Sequence, residues 1–153
     1  MKMYTKRLLL IFLALVIVKV VFSSFVPTIS GYSDEDSYAK IARSFYFDQE
    51  FTEHGVPSAQ FPPLYPILIS ISYKFKDMQY VYIFMKFLNA LLSSLIIIPA
   101  WLLAKEFLED KSAFLTAVVV SVLPSNLAFA PFIMSESLYY PLFLFQFLQF
   151  TKQ

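Results

Sequence analysis

Apolar residues along the chain gather into four long stretches, broken by one extended polar segment and by two short connections. The first stretch, 8–26, follows a basic start of Lys2, Lys6 and Arg7. At about 1.5 Å per residue, a helix of that length crosses the roughly 30 Å of a bilayer's hydrocarbon core. The basic flank predicts a cytoplasmic N-terminus, with the helix leading outward. A signal peptide shares this pattern, but no small-x-small cleavage site follows and Lys19 interrupts the run. Further spans are predicted over 82–103, 112–133 and 135–150. Asn89 and Pro99 fall inside the second, and Pro124 and Pro131 kink or break the third. The charged connection 105–111 separates the second span from the third, and the fourth is barely long enough to cross.

Residues 27–81 form the polar segment and hold most of the acidic residues. Ser33-Asp34-Glu35-Asp36 reads as a capping box that opens a short helix. Tyr38, Ile41, Ala42 and Phe45 then recur at helical spacing as one apolar stripe, as in an amphipathic helix lying on a membrane surface. Pro62, Pro63 and Pro66 suit a loop and the first turn of a helix. The apolar run after them, from 64 to 75, is too short to span and closes on Lys74, Lys76 and Asp77. If that run only dips or lies flat, Asp34 and Glu136 face the same, outer side and 105–111 faces the cytoplasm. The predicted fold is all-α: one polytopic transmembrane helical bundle of about four spans over 1–153, with amphipathic juxtamembrane helices in the first outer loop, 27–81.

Composition agrees with that picture. Hydrophobic residues make up 58% of the 153, against about 45–50% for a soluble domain, and only 15% are charged. The 18 Phe and 10 Tyr suit aromatic belts at two membrane interfaces. With only 2 Gly, a glycine-rich phosphate loop is excluded. The absence of Cys excludes disulfides, thiol catalysis and cysteine metal sites. A net charge of +1 gives no reason to expect a nucleic-acid partner.

Few residues could carry chemistry. Asp34, Glu35 and Asp36 could take a proton from a hydroxyl or hold a divalent cation, and equally could cap a helix and oppose its dipole. Glu136, where the third span meets the fourth, is either a functional carboxylate or a first-turn acid behind the N-cap Ser135. Lys19, midway through the first span, either snorkels or pairs structurally, or else binds a phosphate or carboxylate. Arg43, seven positions after Asp36, could meet an anionic head group or stand in solvent. His54 is the single His, and a loop His is usually solvated. Asp34, Glu136 and His54 are the available metal-ligand candidates. The many aromatic rings could stack on a sugar or simply face lipid.

Taken in order, Asp34-Glu35, Tyr38-Ala39-Lys40-Ile41-Ala42-Arg43, Pro62-Pro63-Leu64-Tyr65-Pro66 and Ser135-Glu136 resemble the N-terminal part of the GT-C type membrane glycosyltransferases. The nearest branch is that of the protein O-mannosyltransferases and the lipid A aminoarabinose transferase. The resemblance implies transfer of a sugar from a polyprenyl-phosphate-linked donor to a lipid, glycan or protein hydroxyl on the extracytoplasmic face. It makes Asp34 the base toward the acceptor hydroxyl and Glu35 its partner. Glu136 becomes an acid assisting acceptor or metal binding, with Tyr38, Arg43 and Lys19 as further donor-binding candidates. A divalent metal is part of the expectation, although the family's acidic ligand before its Pro-Pro is replaced here by Gln60-Phe61. Because the family has more spans, whose later helices supply much of the donor groove, the resemblance also implies that these residues are part of a longer enzyme. The competing expectation is a non-catalytic truncated relative that packs against a further membrane subunit. A small transporter is disfavoured by the scarcity of ionisable groups within the spans.

Overall fold

A computed structural model describes the backbone of residues 2–26 and 33–151, with side chains from 4–26 and 34–151. The Ser33 hydroxyl of the predicted capping box therefore lies outside the described residues, as does the start of the outer loop. The described residues are mostly helical. Helix α1 is Lys2–Ser24, α2 Ser33–Asp48, α3 Leu64–Ser70, α4 Met78–Ser94, α5 Ile97–Ala104, α6 Asp110–Ser121, α7 Pro124–Ala128 and α8 Glu136–Phe150. A 3-10 turn over Ile71–Lys74 extends α3, and two two-residue strands, Thr52–Glu53 and Val56–Pro57, pair antiparallel.

Among the described residues, two helices are long and apolar enough to cross a membrane: Tyr4–Ser24, and Met78–Ala104 as α4 and α5 run together. Their join is set by Pro99, which has no N–H to offer Leu95. The Ile98 N–H takes that carbonyl instead at 3.0 Å, a local 3-10 tightening that lets the helix continue. The expected span over 112–133 is divided. Leu123 is held extended (φ −53°, ψ 142°) because the residue before a proline is excluded from the helical region, so α6 ends and Pro124 opens α7. With 12 residues, α6 reaches about 18 Å, and α8 with 15 reaches about 22 Å.

The segment 62–75 forms no helix of spanning length. Pro63 supplies the first carbonyl of α3, accepting from the Ile67 N–H at 3.1 Å, and Pro66 sits in the first turn, where its missing N–H costs nothing. The seven-residue α3 then packs along α2 and turns into α4 through Asp77, whose carboxylate caps the Gln79 N–H at 2.8 Å. The predicted stripe of α2 is real, but protein rather than a membrane surface covers it: Tyr38, Ile41 and Ala42 are buried, and Tyr38, Ala39 and Ala42 join Tyr65, Ile69, Tyr73 and Met85 in one core. A second core packs Leu8 and Leu15 against Trp101 and the small residues Ala100, Ala104, Ala113 and Ala117, which let α5 and α6 approach closely.

Beside these apolar cores the bundle also buries polar groups and exposes large apolar ones. Lys19, Lys86, Asn89, Ser93, Ser94 and Ser121 are buried, whereas Leu10, Ile17, Phe22, Leu115, Val119, Phe143 and Phe150 are exposed.

Between the strands, His54 and Gly55 both have positive φ (53° and 79°), the requirement of a type I′ hairpin turn. Glycine adopts it freely and histidine at a cost. His54→Asn, which creates the favoured Asn-Gly pair, is therefore expected to stabilise the hairpin by roughly 0.5–1 kcal/mol, as protection of its amides from hydrogen exchange would register. The exposed His54 is a turn residue here, apart from the other site candidates.

Candidate active site at one end of the bundle

The stretch between α7 and α8 is irregular, and Pro131 within it has no donor. Backbone groups in such a stretch need partners from elsewhere. Three helices provide them. From α1, the Ser23 hydroxyl donates to the Ala130 carbonyl at 3.1 Å. From α4, the Asn89 amide donates to the Phe132 carbonyl. From α2, the Glu35 carboxylate accepts the Ile133 N–H at 2.8 Å, across 98 residues of sequence. Two residues further, the Tyr38 hydroxyl donates to Ser135 Oγ at 2.9 Å.

These bonds bring the first turn of α2 against the first turn of α8. Asp34 is exposed there, and Glu136 is half-buried. Both carboxylates act on the same phenol: the Tyr38 hydroxyl is raised above its usual range first by burial, with the charges of Glu136 and Asp34 adding and the Ser135 hydrogen bond opposing. Aromatic rings wall the site, Phe61 at 4.8 Å and Tyr65 at 4.9 Å from the Tyr38 ring centroid, both edge-on. Tyr65 is wholly buried, and its hydroxyl donates to Asn89 Oδ1 at 2.7 Å. Burial pushes this phenol well above its ordinary range, against the pull of the Asn89 hydrogen bond. Tyr65→Phe is expected to cost about 1–2 kcal/mol, since it strips one partner from an Asn89 that also holds Phe132; chemical denaturation in micelles would measure it.

The predicted residues divide into two sets. Asp34, Tyr38 and Glu136 are brought together. Glu35 is not a member of the open site: it is fully buried and bound to the Ile133 backbone, so it holds the loop and does not face an acceptor. Lys19 does not snorkel, for it is fully buried with its ammonium on Ser93 Oγ at 2.8 Å. Arg43 is exposed two turns along α2, away from the two helix starts. Beyond it the sequence reading placed no weight on the hairpin edge, where Lys40 bridges Asp36 at 2.5 Å and Glu53 at 3.6 Å. That pairing lifts the Lys40 ammonium above its usual range, chiefly through the Asp36 hydrogen bond.

Lys86 was also missed. It is buried on α4 with its ammonium on the Val26 carbonyl, and a charged residue inside an apolar span was signal enough to find it. The exposed Asp34 and half-buried Glu136 supply oxygen ligands suited to a hard divalent cation. Among the described residues, however, no three of His, Cys, Asp and Glu gather as a metal-binding group. No protein-family model matches the chain, no curated protein matches it in sequence, and no solved structure matches it in fold.

Proposed function

We propose that this chain is the N-terminal module of a membrane glycosyltransferase, which moves a sugar from a polyprenyl-phosphate-linked donor to an acceptor hydroxyl at the extracytoplasmic surface. The observation that carries the reading is that the charges of Asp34 and Glu136 both bear on the Tyr38 hydroxyl at one end of the bundle, where the Glu35–Ile133 and Tyr38–Ser135 hydrogen bonds tie α2 to the start of α8. In this reading the Asp34 carboxylate accepts the proton of the acceptor hydroxyl as oxygen attacks the anomeric carbon. Glu136 orients the acceptor or binds a divalent metal with Asp34. The rings of Tyr38 and Phe61 offer a face for the sugar. The departing polyprenyl phosphate requires cationic groups, which the continuation of the fold would add.

The membrane setting belongs to the same proposal. Its support is the exposed apolar face of α1 and α8 around a polar interior, together with the two helices of spanning length. The broken α6–α7 and the short α8 complete a four-span bundle in this reading, with the N-terminus cytoplasmic behind Lys6 and Arg7. The test is an assay of the chain, alone and joined to the membrane protein it co-purifies with, for transfer from a radiolabelled polyprenyl-phosphate sugar. Label in the acceptor is expected, and none in either preparation refutes the enzymatic reading.

A second reading is favoured by the exposed Leu142, Phe143, Phe145, Phe147 and Phe150 of α8. These residues make an apolar face that partner helices could cover, so the chain would serve as a non-catalytic subunit. Stable co-purification with a polytopic partner, with transfer unaffected by Asp34→Asn, would favour this reading over the first.

A further inference from the structure

Lys86, Asn89 and Ser93 are buried and share one face of α4 at helical spacing. Each answers a different part of the bundle. Ser93 takes the Lys19 ammonium of α1 at 2.8 Å, and Lys86 donates to the Val26 carbonyl just beyond that helix. Asn89 accepts from Tyr65 of α3 at 2.7 Å and donates to the Phe132 carbonyl. The N–H of that same peptide group, on Ile133, is the one that Glu35 of α2 binds at 2.8 Å. Asn89 and Glu35 therefore grip opposite edges of a single planar unit, one from α4 and one from α2. Lys86 stands one turn before Asn89 on the same face, which places a buried ammonium in the same polar cluster as the fully buried Glu35 carboxylate. The charge of Glu35 bears on that ammonium. It also bears on the Tyr65 phenol, which is neutral and so offsets none of it. A buried carboxylate is costly to keep charged unless an opposite charge compensates it, and ionisable groups within spans pair with one another for that reason.

We infer that Lys86 is the counter-ion of Glu35 and a positioning residue for the proposed site, the two charges together fixing the Phe132–Ile133 peptide and, through it, the start of α8 that carries Glu136. In this assignment the end of α1, the first turn of α2 and the stretch before α8 meet at one charge-balanced joint on α4. The positioning role rests on the function proposed above for Asp34 and Glu136, whereas the pairing itself does not.

The experiment follows thermal unfolding of the full chain in micelles, together with hydrogen exchange at the Ile133 amide. Lys86→Met keeps an unbranched side chain and removes the charge. Leaving Glu35 buried without its counter-ion should lower the midpoint by roughly 10 °C, and the Ile133 amide should lose its protection. Adding Glu35→Gln to Lys86→Met removes the uncompensated charge and keeps an acceptor oxygen for Ile133. That double variant should melt about 5 °C above Lys86→Met, with the Ile133 amide protected again. A role for Lys86 confined to the Val26 carbonyl predicts the opposite, since two independent losses add. A double variant melting no higher than Lys86→Met therefore overturns the pair. Should Lys86→Met fail to fold, a folded double variant supports the pair and an unfolded one overturns it. None of these readouts involves sugar transfer, so they decide the pair even if the enzymatic reading fails. Where the parent transfers sugar, Lys86→Met should lower the rate and the double variant restore part of it. Restored stability without restored transfer would overturn the positioning role.

Discussion

Asp34→Asn is expected to lower sugar transfer by roughly 10²–10⁴-fold, the usual contribution of a positioned general base, while leaving the protein folded. The asparagine keeps the shape and hydrogen-bonding capacity of the side chain but does not accept the acceptor's proton. Asp34 is exposed at the first turn of α2, where a substitution of equal size leaves the core packing intact. Loss of its favourable interaction with the helix dipole costs only about 0.3–1 kcal/mol. Glu136→Gln should weaken transfer less and mainly raise the half-saturating acceptor concentration, because its assigned task is orientation. Full transfer by Asp34→Asn would remove Asp34 from the mechanism.

Glu35→Ala carries the second large effect, and here the loss is structural. The substitution strips the Ile133 N–H of its buried acceptor and opens a void where a fully buried side chain stood. The two together are expected to cost about 3 kcal/mol, lowering the midpoint of thermal unfolding in micelles by roughly 10 °C for a chain of this length. Transfer falls as well, because α8 and Glu136 lose their tie to α2. Glu35→Gln retains an acceptor oxygen for Ile133 and should recover at least about 1 kcal/mol of that stability and much of the transfer. The contrast separates the two neighbouring acids. If Glu35 took part in proton transfer, its Gln variant would be as inactive as that of Asp34 while remaining folded.

How much of this was legible in the sequence depends on the range of the interaction involved. The helix of 33–48 and its apolar stripe were readable because periodicity and capping are local. What covers the stripe was not, since Tyr38 and Ala42 meet Tyr65 and Ile69 only through the chain reversal at Pro62-Pro63. The start of α7 could be read at Pro124. Where the irregular backbone beyond it finds its hydrogen bonds could not, because Ser23, Glu35 and Asn89 answer from three helices remote in sequence. The same limit explains Glu35. Adjacent acids look equivalent in a string, yet on a helix they point about 100° apart, and here one faces the opening while the other faces the Ile133 N–H. Lys19 shows the reverse case: its cost inside an apolar span was evident, but its partner Ser93 lies 74 residues away on α4.

The proposed function requires Asp34 and Glu136 to stand on the same outer face of the membrane, at one site. The chain contains no cysteine, so single cysteines introduced at 34, 136 and 106 can each be probed without background in sealed, right-side-out vesicles. A membrane-impermeant maleimide added outside is expected to label Asp34→Cys and Glu136→Cys and to spare Glu106→Cys until the vesicles are opened. Labelling of the 34 and 136 positions from opposite sides would contradict the account.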